Sequence, residues 1–558
     1  MSTPSKTRRR PKSGEPPGCL EILESSAATN ARGWPEGVVA WSAVAFAVVF
    51  AFGLRAFRLD VSWDVFIDEI YYLRISQNVL HTLWVYGEEG PFYLHPPGLF
   101  FVEAAYIKLL GIRGDLIHQI YGVRYLGAAF AGLSAGVLLW SGRRLAGWPA
   151  GIAAAVIFAL DPFSIETNSH NMLETPTVLW MLLGYGVLFS ALVRGASQPV
   201  SWRRAIVAGF LFGLALLTKE VSLLITLLPL GVCFVFGWAL PRKLSLLAVV
   251  VALTVYAPYP LVVYIRGDWG DFLYQKFAGI SRLAGLIHIT GFNQRGGPSF
   301  LDAIVSRLDE YATTYVLLAT GAVAACVLLL ADLGAAPAQR LLASWTSGAY
   351  AFLTYAVVFG TLEEQYFYYL IVPSILATVV TTALILRKVL ANNRTRGMLA
   401  PTHGWLALEA AAAVSVVFLI LWNACVWQTW VVVHTVPDNG YQRLTAYVEE
   451  LPPGDRIALT DETQALLMEE SGSGGRYEAV GPLLADNVDY VVVNSDLATK
   501  GYERPPPEVY RWVRNHGRLV YGFEDRDSDL LGVWRLQDRV KSPAPALDVA
   551  SNGSVTRR

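Results

Sequence analysis

Long apolar runs alternate with short polar interruptions over most of the chain. The runs fall at roughly 38–57, 119–141, 149–163, 175–194, 204–218, 220–236, 244–265, 311–331, 341–360, 366–387 and 404–432. A helix needs about 20 apolar residues to cross a bilayer core, so each run is a candidate span. Those at 149–163 and 204–218 are short, and either extend into their flanks or stop before the far interface. A further apolar stretch, 96–111, opens on Pro96–Pro97 and carries Glu103 and Lys108, charges that sit badly in lipid. We read it as re-entrant or interfacial. From about residue 435 the runs shorten and charged residues become common. There "RIALTDE", "VDYVVVNSD" and "GRLVYGFE" read as strands, and 441–451 and 505–516 as helices. The pattern predicts a polytopic α-helical membrane protein with about 11 transmembrane helices and a small C-terminal extracytoplasmic α/β domain.

The same pattern divides the chain. Residues 1–36 form a basic, Pro/Ser-rich cytoplasmic N-terminus expected to be disordered, and 37–432 form the transmembrane domain. Residues 433–540 form the soluble domain, and 541–558 a disordered tail. The N-terminal basic cluster is separated from the first apolar run, which is long enough to span, so a cleaved signal peptide is not expected.

Charge orients the spans, because Lys and Arg collect in cytoplasmic loops. Arg8–Arg10, Arg143–Arg144, Arg203–Arg204, Arg242–Lys243 and Arg387–Lys388 with Arg394 and Arg396 mark one side. The loops at 58–95, 164–174, 266–310 and 361–365, the turn at Lys219, and everything after 432 then lie outside. An inside N-terminus and an outside C-terminus need an odd number of crossings, which fits the exclusion of 96–111.

Composition narrows the function. The 558 residues are 54% hydrophobic and 16% charged, with a formal net charge of −1 and mean hydropathy +0.41. No global basic field invites nucleic acid. Cys19, Cys233, Cys326 and Cys425 lie too far apart for a disulfide framework or metal-ligand spacing. No P-loop or dinucleotide-binding glycine fingerprint is present, so a soluble nucleotide-sugar donor is not indicated.

Candidate chemistry gathers in the loops placed outside. The first contains "DVFIDEIYYLRISQ" and, later, "YLHPPG". Its adjacent Asp68 and Glu69 sit between apolar residues. Burial and like charge raise a carboxyl pKa there, which suits a general base; an ordinary acidic, aromatic interfacial loop is the plainer reading. His95-Pro-Pro-Gly98 pre-sets a helix start that would favour an anion. The second loop, "ALDPFSIETNSHNMLETPT", offers Asp161, Glu166, His170 and Glu174, of which Glu174 also reads as a helix-start residue. "LLTKEVS" sets Lys219–Glu220 in a tight turn between apolar runs. Lys219 there either neutralises a lipid phosphate or snorkels to the interface.

In this order, an acidic pair, His-Pro-Pro, "NMLETP", "LTK" and the late "EEQYFYYLIVPS" resemble the GT-C membrane glycosyltransferases. The likeness is to the protein O-mannosyltransferase and lipid A aminoarabinose transferase type (glycosyltransferase family 39-like), and covers roughly 38–430. It implies a polyprenyl-phosphate sugar donor, a protein, lipid or glycan acceptor, and transfer at the outer face of a prokaryotic plasma membrane. It implies Asp68 as catalytic base with Glu69 beside it, Glu174 as the second acidic position, where the family more often has Asp, and Lys219 as phosphate partner. Where the family often has a basic residue before the late tyrosines, this chain has Gln365. His95, Tyr71, Arg74 and Arg124 complete the substrate-binding candidates, the two arginines as further cations for phosphate. Neither metal nor cofactor is expected. A secondary transporter, with inverted repeats and charges near the midplane, and a non-catalytic scaffold or sensor remain the alternatives.

Overall fold

A computed structural model describes residues 36–87, 90–194, 201–287, 299–330, 336–395, 422, 424–468, 474–477, 479–494, 507–524 and 530–536. The N-terminal segment through 35, most of the apolar run at 404–432 and the tail beyond 540 lie outside these residues.

Apolar runs become helices. Helix α1 is Glu36–Ala56, α2 Leu59–Ser62, α3 Ile67–Thr82, α4 Gly98–Leu110, α5 Leu116–Ala146 and α6 Trp148–Leu160. Then come α7 Pro162–Ser169, α8 Glu174–Arg194, α9 Trp202–Thr218, α10 Ser222–Phe236, α11 Arg242–Tyr256, α12 Pro258–Arg266 and α13 Trp269–Leu283. The bundle closes with α14 Phe300–Ser306, α15 Leu308–Leu330, α16 Pro337–Val358 and α17 Tyr368–Thr395. Among the described residues, seven helices are long and apolar enough to cross a membrane, with α11 and α12 counted as one span. A helical stretch at 424–435 lies within the last expected run.

One expected span is broken, at a proline. Helices α6 and α7 meet at 61°. Asp161 is extended there and its Oδ2 accepts from Ser164 N at 2.8 Å, while Pro162 has no N–H to continue the ladder. The second half therefore occupies residues expected to be loop. At Pro258 the backbone of Ala257 stays helical, and α11 and α12 run on as one span. Helix α4 is 13 residues long, too short to cross, and its Glu103 is fully buried with Oε2 accepting from Asn171 Nδ2 at 2.7 Å.

After the bundle come α18 Gly440–Glu449, β3 Ile457–Leu459, α19 Glu462–Met468 and β4 Gly474–Arg476. They are followed by α20 Val480–Ala485, β5 Tyr490–Asn494, α21 Pro507–His516, β6 Gly517–Glu524 and β7 Leu530–Leu536. The first two strands, β1 Tyr86–Gly87 and β2 Gly90–Pro91, form a small hairpin in the first loop. The C-terminal sheet has the order β4-β3-β5-β7-β6. Its β4, β3 and β5 are parallel, with Ile457 opposite Tyr490, and β5-β7-β6 are antiparallel. All five residues of β5 are buried, as a central strand covered on both faces requires. The sheet does not close on itself. Leu444, Ile457, Leu459, Leu466, Leu467 and Met468 share one apolar cluster with Val65, Ile70 and Leu73 of the first loop.

Candidate active site

The loops at 58–95 and 164–174, the turn at 219–220, helix α13 and the segment 361–367 meet at one end of the bundle. Helix α3 starts there. Successive residues of a helix point about 100° apart, and this turns Asp68 and Glu69 to different surroundings.

Glu69 points inward. Its Oε1 and Oε2 accept from Arg124 Nε at 2.9 Å and Nη2 at 2.7 Å. Asn171 N donates to Oε1 at 2.9 Å and Phe66 N to Oε2 at 3.1 Å. Arg124 also donates from Nη1 to the carbonyls of Trp63 (2.7 Å) and Leu59 (3.3 Å), and from Nη2 to that of Asp64 (2.6 Å). A guanidinium has five N–H groups, and these contacts use all of them. Both side chains are 0% exposed. Burial pushes the Glu69 carboxyl up, but Arg124, His170 and the hydrogen bonds outweigh it and hold it below the usual range.

Asp68 turns the other way. Tyr72 OH donates to its Oδ2 at 3.3 Å. Burial pushes its pKa up to about 6; Lys219 opposes the rise, and Glu174 and Glu363 add to it. Two neighbouring carboxyls thus carry opposite perturbations, the pattern that separates a proton-transfer group from a structural one.

Lys219 donates to Glu174 Oε1 in a pair that excludes solvent from both side chains. Burial disfavours the ammonium, but Glu174, Glu363 and Asp68 around it outweigh this and raise its pKa. Glu174 Oε2 is buried with no hydrogen-bond partner. The "LTK" turn also abuts the "HPPG" turn. A Cβ at Gly98 would lie 2.5 Å from the Leu217 carbonyl oxygen, so the two motifs need this glycine to meet. His95 is brought beside Lys219, and burial, with Lys219, Lys276 and Arg282 nearby, drives its imidazole pKa well down, leaving it neutral.

A cavity of about 500 Å³ lies against this group. His95, Lys219, Glu220, Lys276, Arg282, Glu363 and Tyr366 line its polar part. Leu223, Leu253 and Ile280 line it too, and are 41%, 44% and 62% exposed, so its mouth is apolar and opens on the bundle's outer surface. Helix α13 forms one wall. Its outward face carries exposed Leu273, Tyr274, Phe277 and Ile280. Lys276, on the inward face, pairs with Glu220 and reaches the Leu94 carbonyl at 3.3 Å. Arg282 pairs with Glu363 at 2.7 Å. Gln275 fastens the helix to the first loop, accepting from Tyr93 N at 2.6 Å and donating to the Pro91 carbonyl at 2.8 Å. After α13, Gly285 (φ +71°) packs so closely on the next segment that a Cβ would lie 1.7 Å from the Phe359 carbonyl oxygen.

The structure brings Asp68, Glu174, Lys219 and His95 together. Glu69 and Arg124 form a buried pair behind them. Tyr71 and Arg74 face the C-terminal sheet, where Tyr71 OH donates to Glu462 and Arg74 Nη2 to the Leu466 carbonyl at 2.8 Å. Of the candidates, His95 and Lys219 line the cavity, and Asp68, Glu69, Glu174, Tyr71, Arg74 and Arg124 do not. Sequence reasoning passed over Lys276, Arg282 and Glu363, and gave Glu220 no role of its own. The signal available was the amphipathic pattern of 269–283, which sets Arg282 opposite Leu273 and leaves Lys276 at the flank of that apolar face. Gln365 carries no cation; its Nε2 supports Glu363 at 2.8 Å, and Arg282 supplies the guanidinium from another helix.

A scan of protein-family models finds no match to this sequence, and a search of curated proteins returns none. Solved structures do match. The archaeal oligosaccharyltransferase AglB from Archaeoglobus fulgidus, in complex with an inhibitory peptide and a dolichol-phosphate, aligns over 90% of this chain and 74% of its own, at TM-score 0.56 and 12% identity. ArnT from Cupriavidus metallidurans in the apo state aligns over 89% and 98%, at TM-score 0.51 and 16% identity. The chain has the GT-C fold. Alignment over 90% of this chain is too long for the bundle alone, and reaches into the C-terminal domain.

Proposed function

We propose that the protein is a membrane glycosyltransferase that moves a sugar from a polyprenyl-phosphate donor to a hydroxyl of a protein, lipid or glycan acceptor. The observation that carries this reading is the nearness of Asp68, its carboxyl raised to about 6, to Lys219 and Glu363, which line a cavity with cations inside and an apolar mouth. A lipid-phosphate sugar needs both parts. Its isoprenoid chain suits the surface at Leu223, Leu253 and Ile280. Its phosphate suits the wall of Lys219, Lys276 and Arg282. An ammonium has three N–H groups, and Lys219 engages Glu174 with one.

In the reaction the acceptor oxygen attacks the anomeric carbon and its proton passes to Asp68. The bond from that carbon to the phosphate oxygen breaks, with inversion. The lipid phosphate leaves with the bonding electron pair, and the cations stabilise the charge it gains. Glu174 holds Lys219 in place and offers its unpartnered Oε2 to a sugar hydroxyl. No metal is assigned a step. The reading includes about 11 crossings, with the active site and the C-terminal sheet outside, at a plasma membrane.

The test uses the full-length protein in membranes supplied with radiolabelled polyprenyl-phosphate sugars. Asp68→Asn is expected to lower transfer by about 10²-fold or more, the range for loss of a general base. Undiminished transfer refutes the assignment.

A further inference from the structure

Helix α3 has two working faces. Asp68, Tyr72, Ile75 and Val79 follow helical spacing along one; the last three pack in the cluster with Tyr93, Leu99 and Phe100 beside the cavity. Ile70 and Leu73 follow the other, and pack with Leu466, Leu467 and Met468 of α19. Polar contacts fix the second face in register. Tyr71 OH donates to Glu462, at the start of α19, and Arg74 Nη2 to the Leu466 carbonyl near its end. Just before α3, Asp64 accepts from Tyr441 N at 3.1 Å through each carboxylate oxygen. Asp438 N donates to the Val61 carbonyl at 2.7 Å. The start of the C-terminal domain, through α18 and α19, therefore grips both the approach to α3 and its first two turns, the stretch that carries Asp68.

We infer that helix α19 of the C-terminal domain is a positioning element of the active site: Glu462, through Tyr71, and the α19 backbone, through Arg74, hold α3 so that Asp68 faces Lys219 and Glu174. The functional meaning of this rests on the glycosyltransferase reading above. Helix α3 is too short and too polar to be held by lipid, and Glu69, bound by Arg124, Asn171 and Phe66, fixes only one flank of its first turn. A roll of one residue turns its side chains by about 100°, which would carry Asp68 away from Lys219. The contacts on the outer face oppose that roll, at points three and six residues along from Asp68.

The test needs no substrate, so it is independent of whether transfer is ever observed. The full-length protein, with its four cysteines replaced by alanine, carries Asp68→Cys and is reconstituted in nanodiscs. A charged methanethiosulfonate reports how fast position 68 is reached. A parallel protein with Gly279→Cys, on the cavity wall formed by α13, reports general loosening. Glu462→Leu is expected to speed labelling at 68 about tenfold, the equilibrium factor of a hydrogen bond to a charged group, and to leave position 279 unchanged. Glu462→Gln still accepts from Tyr71 and should restore the slow rate. Arg74→Met should accelerate labelling as Glu462→Leu does. Equal rates at 68 with and without Glu462→Leu and Arg74→Met, or parallel acceleration at 68 and 279, overturn the inference.

Discussion

Asp68→Asn should make the protein more stable while abolishing transfer. The rise of the Asp68 carboxyl from 3.8 to about 6 means that the folded site favours the neutral acid. The corresponding penalty on the carboxylate is about 3 kcal/mol at 1.36 kcal/mol per tenfold change in proton affinity. Asp68 keeps part of its surface in contact with solvent, and screening reduces this to about 1–2 kcal/mol. The sign comes from linkage. Between pH 4 and 6 (about the unfolded and folded values) the folded state binds more protons than the unfolded chain, so the wild type loses stability as pH rises through this window. Asn resembles the neutral acid and loses none. Thermal unfolding of the detergent-purified chain should therefore show the variant higher by about 1–3 °C at pH 7.5, with the gap closing by pH 4.5. A variant that is less stable at pH 7.5, or more stable by the same margin at both pH values, rules out a desolvated Asp68 carboxylate.

Wild-type transfer should fall about tenfold between pH 7 and pH 5, as a base of pKa about 6 becomes protonated; a flat profile in a radiolabel assay would exclude Asp68. Lys219→Met should destabilise by about 3–5 kcal/mol, because Glu174 is left as an unpaired buried charge, and Lys219→Met with Glu174→Leu should recover most of the loss. Thermal melts of the single and double variants decide this. Arg124→Lys should cost about 2–4 kcal/mol, since an ammonium cannot replace five N–H contacts to Glu69 and three carbonyls; a neutral result by denaturation would mean that the pair is not structural. On the proposed reading, Gly285→Ala should weaken binding of a polyprenyl phosphate several-fold by pushing the end of α13, and Arg282 with it, away from Glu363, which a direct titration of the purified variant can measure.

Seven of the expected spans were legible because a run of about 20 apolar residues has few other uses, and strands β3, β5 and β6 because short runs of apolar and aromatic residues fall between polar turns. The break at Asp161–Pro162 carried a signal of its own, a capping residue and a proline inside an apolar run. Strands β4 and β7 and the short helices α19 and α20 are set by pairing and packing partners far along the chain. In the site, the motifs led to Asp68, Glu174, Lys219 and His95. They favoured Asp68 over Glu69 through the family likeness alone, because the physical difference lies in which side of α3 faces Arg124, 55 residues away. Arg74 and Arg124 drew attention as cations, and only their hydrogen-bond partners show that they are engaged elsewhere. Lys276 and Arg282 sit in a segment whose polarity reads as ordinary loop until its helical period is traced.

Each cation of the cavity wall already holds a carboxylate: Lys219 with Glu174, Lys276 with Glu220, Arg282 with Glu363. A bilayer surrounds the mouth with phosphate-bearing headgroups, and a wall of bare cations would collect them without discrimination. A neutralised wall admits a headgroup only if it repays the loosened ion pairs, and a sugar whose hydroxyls reach Glu174, Glu220 or Glu363 can do so. The same carboxylates that steady the cations would then act as a filter, keeping the abundant lipids of the membrane from occupying a site meant for a rare one.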